Sequence, residues 1–246
     1  MRYLIQLAYK GTNYHGWQKQ LNAHSVQGEL DNRLSILLGE TIETLGCGRT
    51  DTGVHAKDFY AHFDTTKNID VPFLIHKLNN FLPKDIVIFN IQQVADEFNA
   101  RFDAEWREYE YWISRKPDPF LLDQSWFLHG NLNIDAMNEA AQLLIGKKDF
   151  ECFSKVQTQV NNFICDVMYA KWELQNDKLV FTIRANRFLR NMVRAIVGTL
   201  VDVGQGKITI DDVNKILASK NRSEAGRSVP AHGLFLTRIY YPNINQ

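Results

Sequence analysis

Nine residues, Gly48-Arg49-Thr50-Asp51-Thr52-Gly53-Val54-His55-Ala56, put a carboxylate, a guanidinium and two hydroxyls into one short stretch. Glycines on both sides of the charged pair point to a backbone bent to present side chains rather than bury them. An arginine two residues before an aspartate favours the charged carboxylate, which is how such a group is readied as a nucleophile. Taken alone, Arg-x-Asp describes equally well a turn capped by Asp and Thr, with the arginine in a surface ion pair.

A second group follows later. Arg184, Arg187, Arg190 and Arg194 fall in a stretch without an acid. Read as a helix over Arg187 to Val201, the last three lie within about 60° of each other, opposite Phe188, Leu189, Met192, Val193, Ile196 and Leu200. A row of guanidiniums matches phosphate oxygens bidentately, although a solvated helix face has the same pattern. Tyr109 and Tyr111 share a parity with Arg107 in Trp106 to Ser114. A tyrosine ring there can stack on an unstacked base or pack across strands.

The elements that must position these groups can be read from patterning. Strands are expected at Arg2 to Tyr9, Ile42 to Cys47, Phe59 to Phe63, Ile86 to Val94 and Trp106 to Ser114. Later strands are expected at Val160 to Trp172, Lys178 to Arg184 (joined through Asn176-Asp177) and Leu234 to Tyr241. Ser25 caps a helix carrying Val26, Leu30, Leu34, Leu37 and Leu38, closed by Gly39. Pro72 opens a second helix that ends near Phe81-Leu82-Pro83. Further helices are expected at Ile134 to Ile145, ended by Gly146, and at Ile210 to Ser219. Lys116 to Phe120, with two prolines, is the linker candidate. The expected fold is α+β: two similar halves, 1–116 carrying the Asp51 loop and 117–246 carrying the arginine-rich helix. They would share a mostly antiparallel sheet with a central cleft.

Composition narrows the classes. A chain of 246 residues, 45% hydrophobic and 23% charged, can bury the core of one large or two small domains. No apolar run spans a bilayer, and Met1-Arg2-Tyr3-Leu4-Ile5 lacks a signal-peptide layout. Three cysteines, Cys47, Cys152 and Cys165, leave one over from any pairing, which fits a reducing, cytoplasmic setting. Metal-binding and nucleotide motifs are absent, so neither metal nor cofactor is expected; Cys47, His55 and His62 read as packing residues. The formal net charge of +0 makes a nucleic-acid partner conditional on a local basic patch.

Together these segments resemble the tRNA pseudouridine synthase A family, nearly end to end. The family motif Gly-Arg-Thr-Asp-Ala-Gly-Val-His-Ala matches Gly48 to Ala56 except for Thr52. Also family-like are Tyr14 to Gln18, Ser25-Val26-Gln27, Leu78 to Pro83, Phe98 to Phe102, Arg107 to Tyr111 and Asp149-Phe150. Phe188 to Arg194, Val197 to Leu200, Gly233 to Leu236 and Tyr241-Pro242 continue the match in order. The resemblance implies the pseudouridine synthase fold and a homodimer. It implies isomerisation of uridine at tRNA positions 38, 39 and 40, in the anticodon stem and loop. It makes Asp51 the nucleophile and Tyr109 the ring stacked on the target uracil, with Arg49 and Arg194 flanking Asp51. The remaining arginines, Arg187 and Arg190, are expected to grip phosphates, and Thr50 and Thr52 to fix the loop. Whether Asp51 attacks sugar or base, or assists elimination, is left open.

The rival readings are a synthase acting at other tRNA positions, a glycoside hydrolase and an RNA-binding module without catalysis. The hydrolase normally needs two carboxylates across the bond. Asp58 and Asp64 look instead like polar residues at strand ends. The binding module has no need of a glycine-bracketed Arg49-Thr50-Asp51.

Overall fold

The computed structural model describes residues 1–156, 162–242 and 244. The chain divides into two compact units, Met1–Glu105 with Phe235–Gln246, and Trp106–Leu234.

In the first unit, β1 (Arg2–Tyr9) leads to helix α1 (Val26–Leu38), β2 (Leu45–Gly46), β3 (His55–Asp64), α2 (Val71–Phe81) and β4 (Ile86–Val94). β1 runs antiparallel to both β3 and β4. Helix α1 starts where Ser25 accepts from the Gly28 amide and stops at Gly39, whose φ of 63° is left-handed. Val26, Leu30, Leu34 and Leu38 are buried as their spacing required. Asp70 caps α2, with Pro72 in its first turn.

The strand expected over Ile42 to Cys47 shrinks to Leu45–Gly46, which pairs with β3. The reason lies on one face of α1. Ser35 Oγ accepts from the Ile42 amide at 2.8 Å, and Asp31 Oδ1 accepts from the Thr44 amide at 2.9 Å. The Gln27 amide donates to the Thr44 carbonyl at 2.6 Å. Residues 27, 31 and 35 stand one helical turn apart and take up backbone groups a strand partner would otherwise need.

The second unit holds β5 (Trp106–Ser114), β6 (Trp126–Phe127), α3 (Ile134–Gln142), β7 (Gly146–Asp149), β8 (Ile164–Gln175), β9 (Lys178–Ala185), α4 (Met192–Gly204) and α5 (Ile210–Ser219). Its strand order is β5-β9-β8-β7, antiparallel throughout, with β6 parallel to β5. The β8–β9 turn has Asn176 at a φ of 54°, a left-handed position asparagine tolerates. Of the strand expected from Val160, residues 160 and 161 lie outside the described residues. The last strand, β10 (Leu234–Tyr240), pairs in parallel with β3.

The division therefore falls at Glu105, before β5, and not within the proline-containing segment 116–120. β5 pairs with β9 from Arg107↔Ala185 to Ser114↔Lys178, which binds it to the second unit. The β10–β3 pairing returns the chain's end to the first. Both units are α+β and mostly antiparallel. No helix among the described residues is long and apolar enough to cross a membrane.

Candidate active site

The Asp51 loop joins β2 to β3, and His55 and Ala56 already belong to the strand. Its exit is a tight turn in which the Val54 amide donates to the Asp51 carbonyl at 3.1 Å. The third residue of that turn, Gly53, has a φ of 78°, which a residue with a Cβ adopts only at a cost. Within the loop, Thr50 is buried, Asp51 is half-buried, and Arg49 and Thr52 are exposed.

Two other glycines bring backbone against this loop. At Gly16, φ is 83°, and a Cβ would stand 2.2 Å from the Thr50 carbonyl oxygen. At Gly11, a Cβ would stand 2.0 Å from the Val54 carbonyl oxygen. The Gly53 amide adds a bond to the Tyr14 carbonyl at 3.3 Å. The family-like Tyr14 to Gln18 segment thus forms the floor of the loop. Trp17 is buried against Phe59, ring centroids 4.2 Å apart, with Tyr9 edge-on to Phe59 at 5.5 Å. Tyr14 donates to Asp85 at 2.5 Å. Burial, then that carboxylate, pushes the Tyr14 phenol well above its ordinary value.

Side chains complete the anchoring. The Thr50 and Tyr9 hydroxyls meet at 2.8 Å. His55 Nδ1 accepts from the Gly11 amide at 3.0 Å, so the neutral ring carries its proton on Nε2. Phe235 stacks on that ring at 4.7 Å. His62, further along β3, accepts from the Ala100 amide at 3.1 Å, and burial, then Arg2, lowers its basicity. Asp58 lies inside β3 rather than at its end. It accepts from Gln6 at 2.8 Å and from the Ile239 amide at 3.3 Å, and burial raises its pKa. Asp64, at the end of β3, is paired with Arg2.

The second unit carries the other residues singled out from the sequence. Tyr109 lies on β5, half-buried, with Phe188 edge-on at 5.0 Å and 85°. Tyr111, on the same side of the strand, is fully buried and donates to the Pro230 carbonyl at 2.8 Å.

The arginine row on one helix is not formed. α4 begins at Met192, after Asn191 at a φ of 66°, a left-handed residue that cannot continue a helix inward. Arg187 and Arg190 therefore lie in the irregular segment before it, Arg187 half-buried and Arg190 exposed. Arg194 sits in the first turn, where its Nε–H donates to the Val229 carbonyl at 2.7 Å. α4 is apolar nearly all round, with only Arg194 and Asp202 partly exposed. Arg184 belongs to β9, donates to Glu108 at 2.6 Å and covers the Trp106 ring at 4.4 Å.

Asp51 and Arg49 thus share one loop of the first unit, and Tyr109, Arg187, Arg190 and Arg194 belong to the second. Sequence reasoning missed Tyr9, Gly11 and Val229, which touch the Asp51 loop and Arg194 from far along the chain. For Tyr9 the available signal was a tyrosine closing a strand; for Val229 there was none.

Comparison with known proteins places the chain in a family. The family model described as tRNA pseudouridine synthase matches residues 140–242. A tRNA pseudouridine synthase A of Parabacteroides distasonis is 48% identical over 98% of this chain and 96% of its own length. Its namesake from Bacteroides thetaiotaomicron is 46% identical over 98% and 91%. That of Brevibacillus brevis is 42% identical over 96% and 97%. With such identity along nearly its whole length, this chain belongs to the tRNA pseudouridine synthase A family.

Proposed function

We propose that the chain isomerises uridine to pseudouridine at positions 38, 39 and 40, in the anticodon stem and loop of tRNA. The observation that carries this reading is the Asp51 loop. It joins the family motif to a backbone locked from below by Gly11, Gly16 and the Tyr9–Thr50 hydroxyl pair, with Asp51 left half-buried.

The reaction breaks the bond from uracil N1 to the sugar, turns the base, and bonds C5 to the same sugar carbon. C5 gives up a proton and N1 gains one, so the composition is unchanged. The target base must leave the stack, and a flipped base needs a ring beside it. Tyr109 supplies that ring, supported edge-on by Phe188. Asp51 acts as the nucleophile, with Arg49 and Arg194 as the cations of the reaction. Arg187 and Arg190 take substrate phosphates, and nothing in these roles needs a metal or cofactor.

The protein works as a homodimer in the cytoplasm. Incubating the purified protein with unmodified tRNA transcripts, without added metal or cofactor, and mapping pseudouridine along the anticodon arm tests the reading. Pseudouridine confined to other regions of the tRNA would contradict the assigned positions.

A further inference from the structure

Residues 222–230 have no regular secondary structure, yet they are tied at close intervals to Asn191 and to α4 as far as Thr199. Arg222 donates to the Ala225 and Gly226 carbonyls, at 3.3 and 3.1 Å, and to Ser228 Oγ at 2.9 Å. Ser228 Oγ also accepts from the side chain of Asn191, the left-handed residue before α4, at 2.6 Å. The Gly226 amide donates to Thr199 Oγ1 at 2.8 Å. Val229 exchanges two bonds with Arg194. Its carbonyl takes the arginine Nε–H at 2.7 Å, and its amide donates to the Arg194 carbonyl at 3.3 Å.

Two glycines make this closeness possible. A Cβ at Gly198 would stand 1.9 Å from the Arg227 carbonyl oxygen, and one at Gly226 would stand 2.6 Å from the Thr199 nitrogen. Strap and helix therefore pack backbone to backbone, which no larger residue permits at either place. Beyond Val229, the Pro230 carbonyl is fixed by the Tyr111 hydroxyl, two residues along β5 from Tyr109.

A long arginine side chain has roughly 2 kcal/mol of rotamer entropy to lose when it is ordered. A carbonyl held at a fixed point removes that freedom before substrate arrives, which is how a strap can serve catalysis without touching substrate. We propose that segment 222–230 is a positioning strap for Arg194, and that Arg222 is the positioning residue which holds the strap in shape. This inference rests on the reading that Arg194 takes part in pseudouridine formation. Arg222 itself acts only through Val229 and Arg194.

The test compares wild type, Arg222→Ala, Arg222→Lys, Ser228→Ala, Arg194→Ala and the Arg222→Ala/Arg194→Ala double variant. The readouts are kcat and KM on tRNA transcripts, together with the side-chain Nε–H signal of Arg194 by nitrogen NMR, identified by its loss in Arg194→Ala. In Arg222→Ala the Arg194 signal should broaden or vanish, with kcat about tenfold lower and KM within about twofold of wild type. Arg222→Lys and Ser228→Ala, milder changes to the same strap, should fall between. In the Arg194→Ala background, Arg222→Ala should cost nothing more. An unchanged Arg194 signal in Arg222→Ala would overturn the proposal, and so would kcat losses that multiply in the double variant. An inactive wild type would instead sink the functional reading, while the NMR signal still decides whether the strap holds Arg194.

Discussion

The hydroxyls of Tyr9 and Thr50 meet at 2.8 Å in a buried position, one residue before Asp51. Tyr9 closes β1 and Thr50 lies in the loop that carries Asp51, so this bond ties the loop to the sheet beside that residue. Removing either hydroxyl breaks this buried bond, which contributes about 1 kcal/mol, whereas removing both costs less than the sum. Tyr9→Phe and Thr50→Val should each lower stability and kcat, and Tyr9→Phe/Thr50→Val should be more stable than additivity allows. A denaturant cycle on the four proteins checks this; strict additivity would show that the bond does not hold the loop.

Gly16 is constrained twice, by a φ of 83° and by the Thr50 carbonyl 2.2 Å from any Cβ. Gly16→Ala should cost about 1–3 kcal/mol in backbone strain alone and push the loop away from Tyr14. Turnover should fall more than tRNA affinity does. A variant with wild-type kcat would mean that the floor of the loop does not set Asp51.

Tyr109 is read as a stacking ring, and base–aromatic stacking contributes about 1–3 kcal/mol per base. Tyr109→Ala should therefore lower kcat/KM by about tenfold to a hundredfold, while Tyr109→Phe should keep the affinity for tRNA. Equal loss of affinity in both variants, measured by filter binding, would shift the role from the ring to the hydroxyl.

Arg190 is exposed before α4 and is assigned to substrate phosphate. Each phosphate contact contributes close to one unit to the dependence of log affinity on log salt. Arg190→Ala should weaken tRNA binding and flatten that slope by about one unit or slightly less. An unchanged slope would remove Arg190 from the RNA contacts.

Burial raises the thiols of Cys165 to about 11 and Cys152 to about 12. An unfolded chain releases these protons from about pH 8.5, so above that pH the folded state binds more protons than the unfolded one. Stability must then fall as pH rises through this window, by about 1.4 kcal/mol per pH unit for each thiol. Cys152→Ala should flatten the decline of unfolding free energy between pH 9 and 10.5, whatever its stability at pH 7. A slope equal to wild type would contradict the burial of that thiol.

Features set by neighbouring residues could be read in the sequence. Ser25, Gly39, Asp70 and Pro72 mark helix ends through local capping, and β1, β4 and β5 have the bounds their patterning suggests. The arginine helix failed because Phe188, Leu189, Met192 and Val193 keep a helical rhythm across Asn191, where the backbone turns left-handed. The strand at Ile42 failed because Gln27, Asp31 and Ser35 capture its backbone from across the unit. The glycine-bounded loop that carries Asp51 was legible. Its supports at Gly11 and Gly16, and the hold of Val229 on Arg194, are long-range contacts that no local spacing encodes.

Asp51 is proposed to carry out uridine isomerisation. The most direct test maps pseudouridine by carbodiimide labelling and primer extension on tRNA transcripts treated with wild type or Asp51→Asn, alongside tRNA binding by both. Pseudouridine is expected at positions 38 to 40 with wild type and nowhere with Asp51→Asn, while both bind tRNA nearly equally. Pseudouridine formed by Asp51→Asn at the wild-type rate would contradict that role.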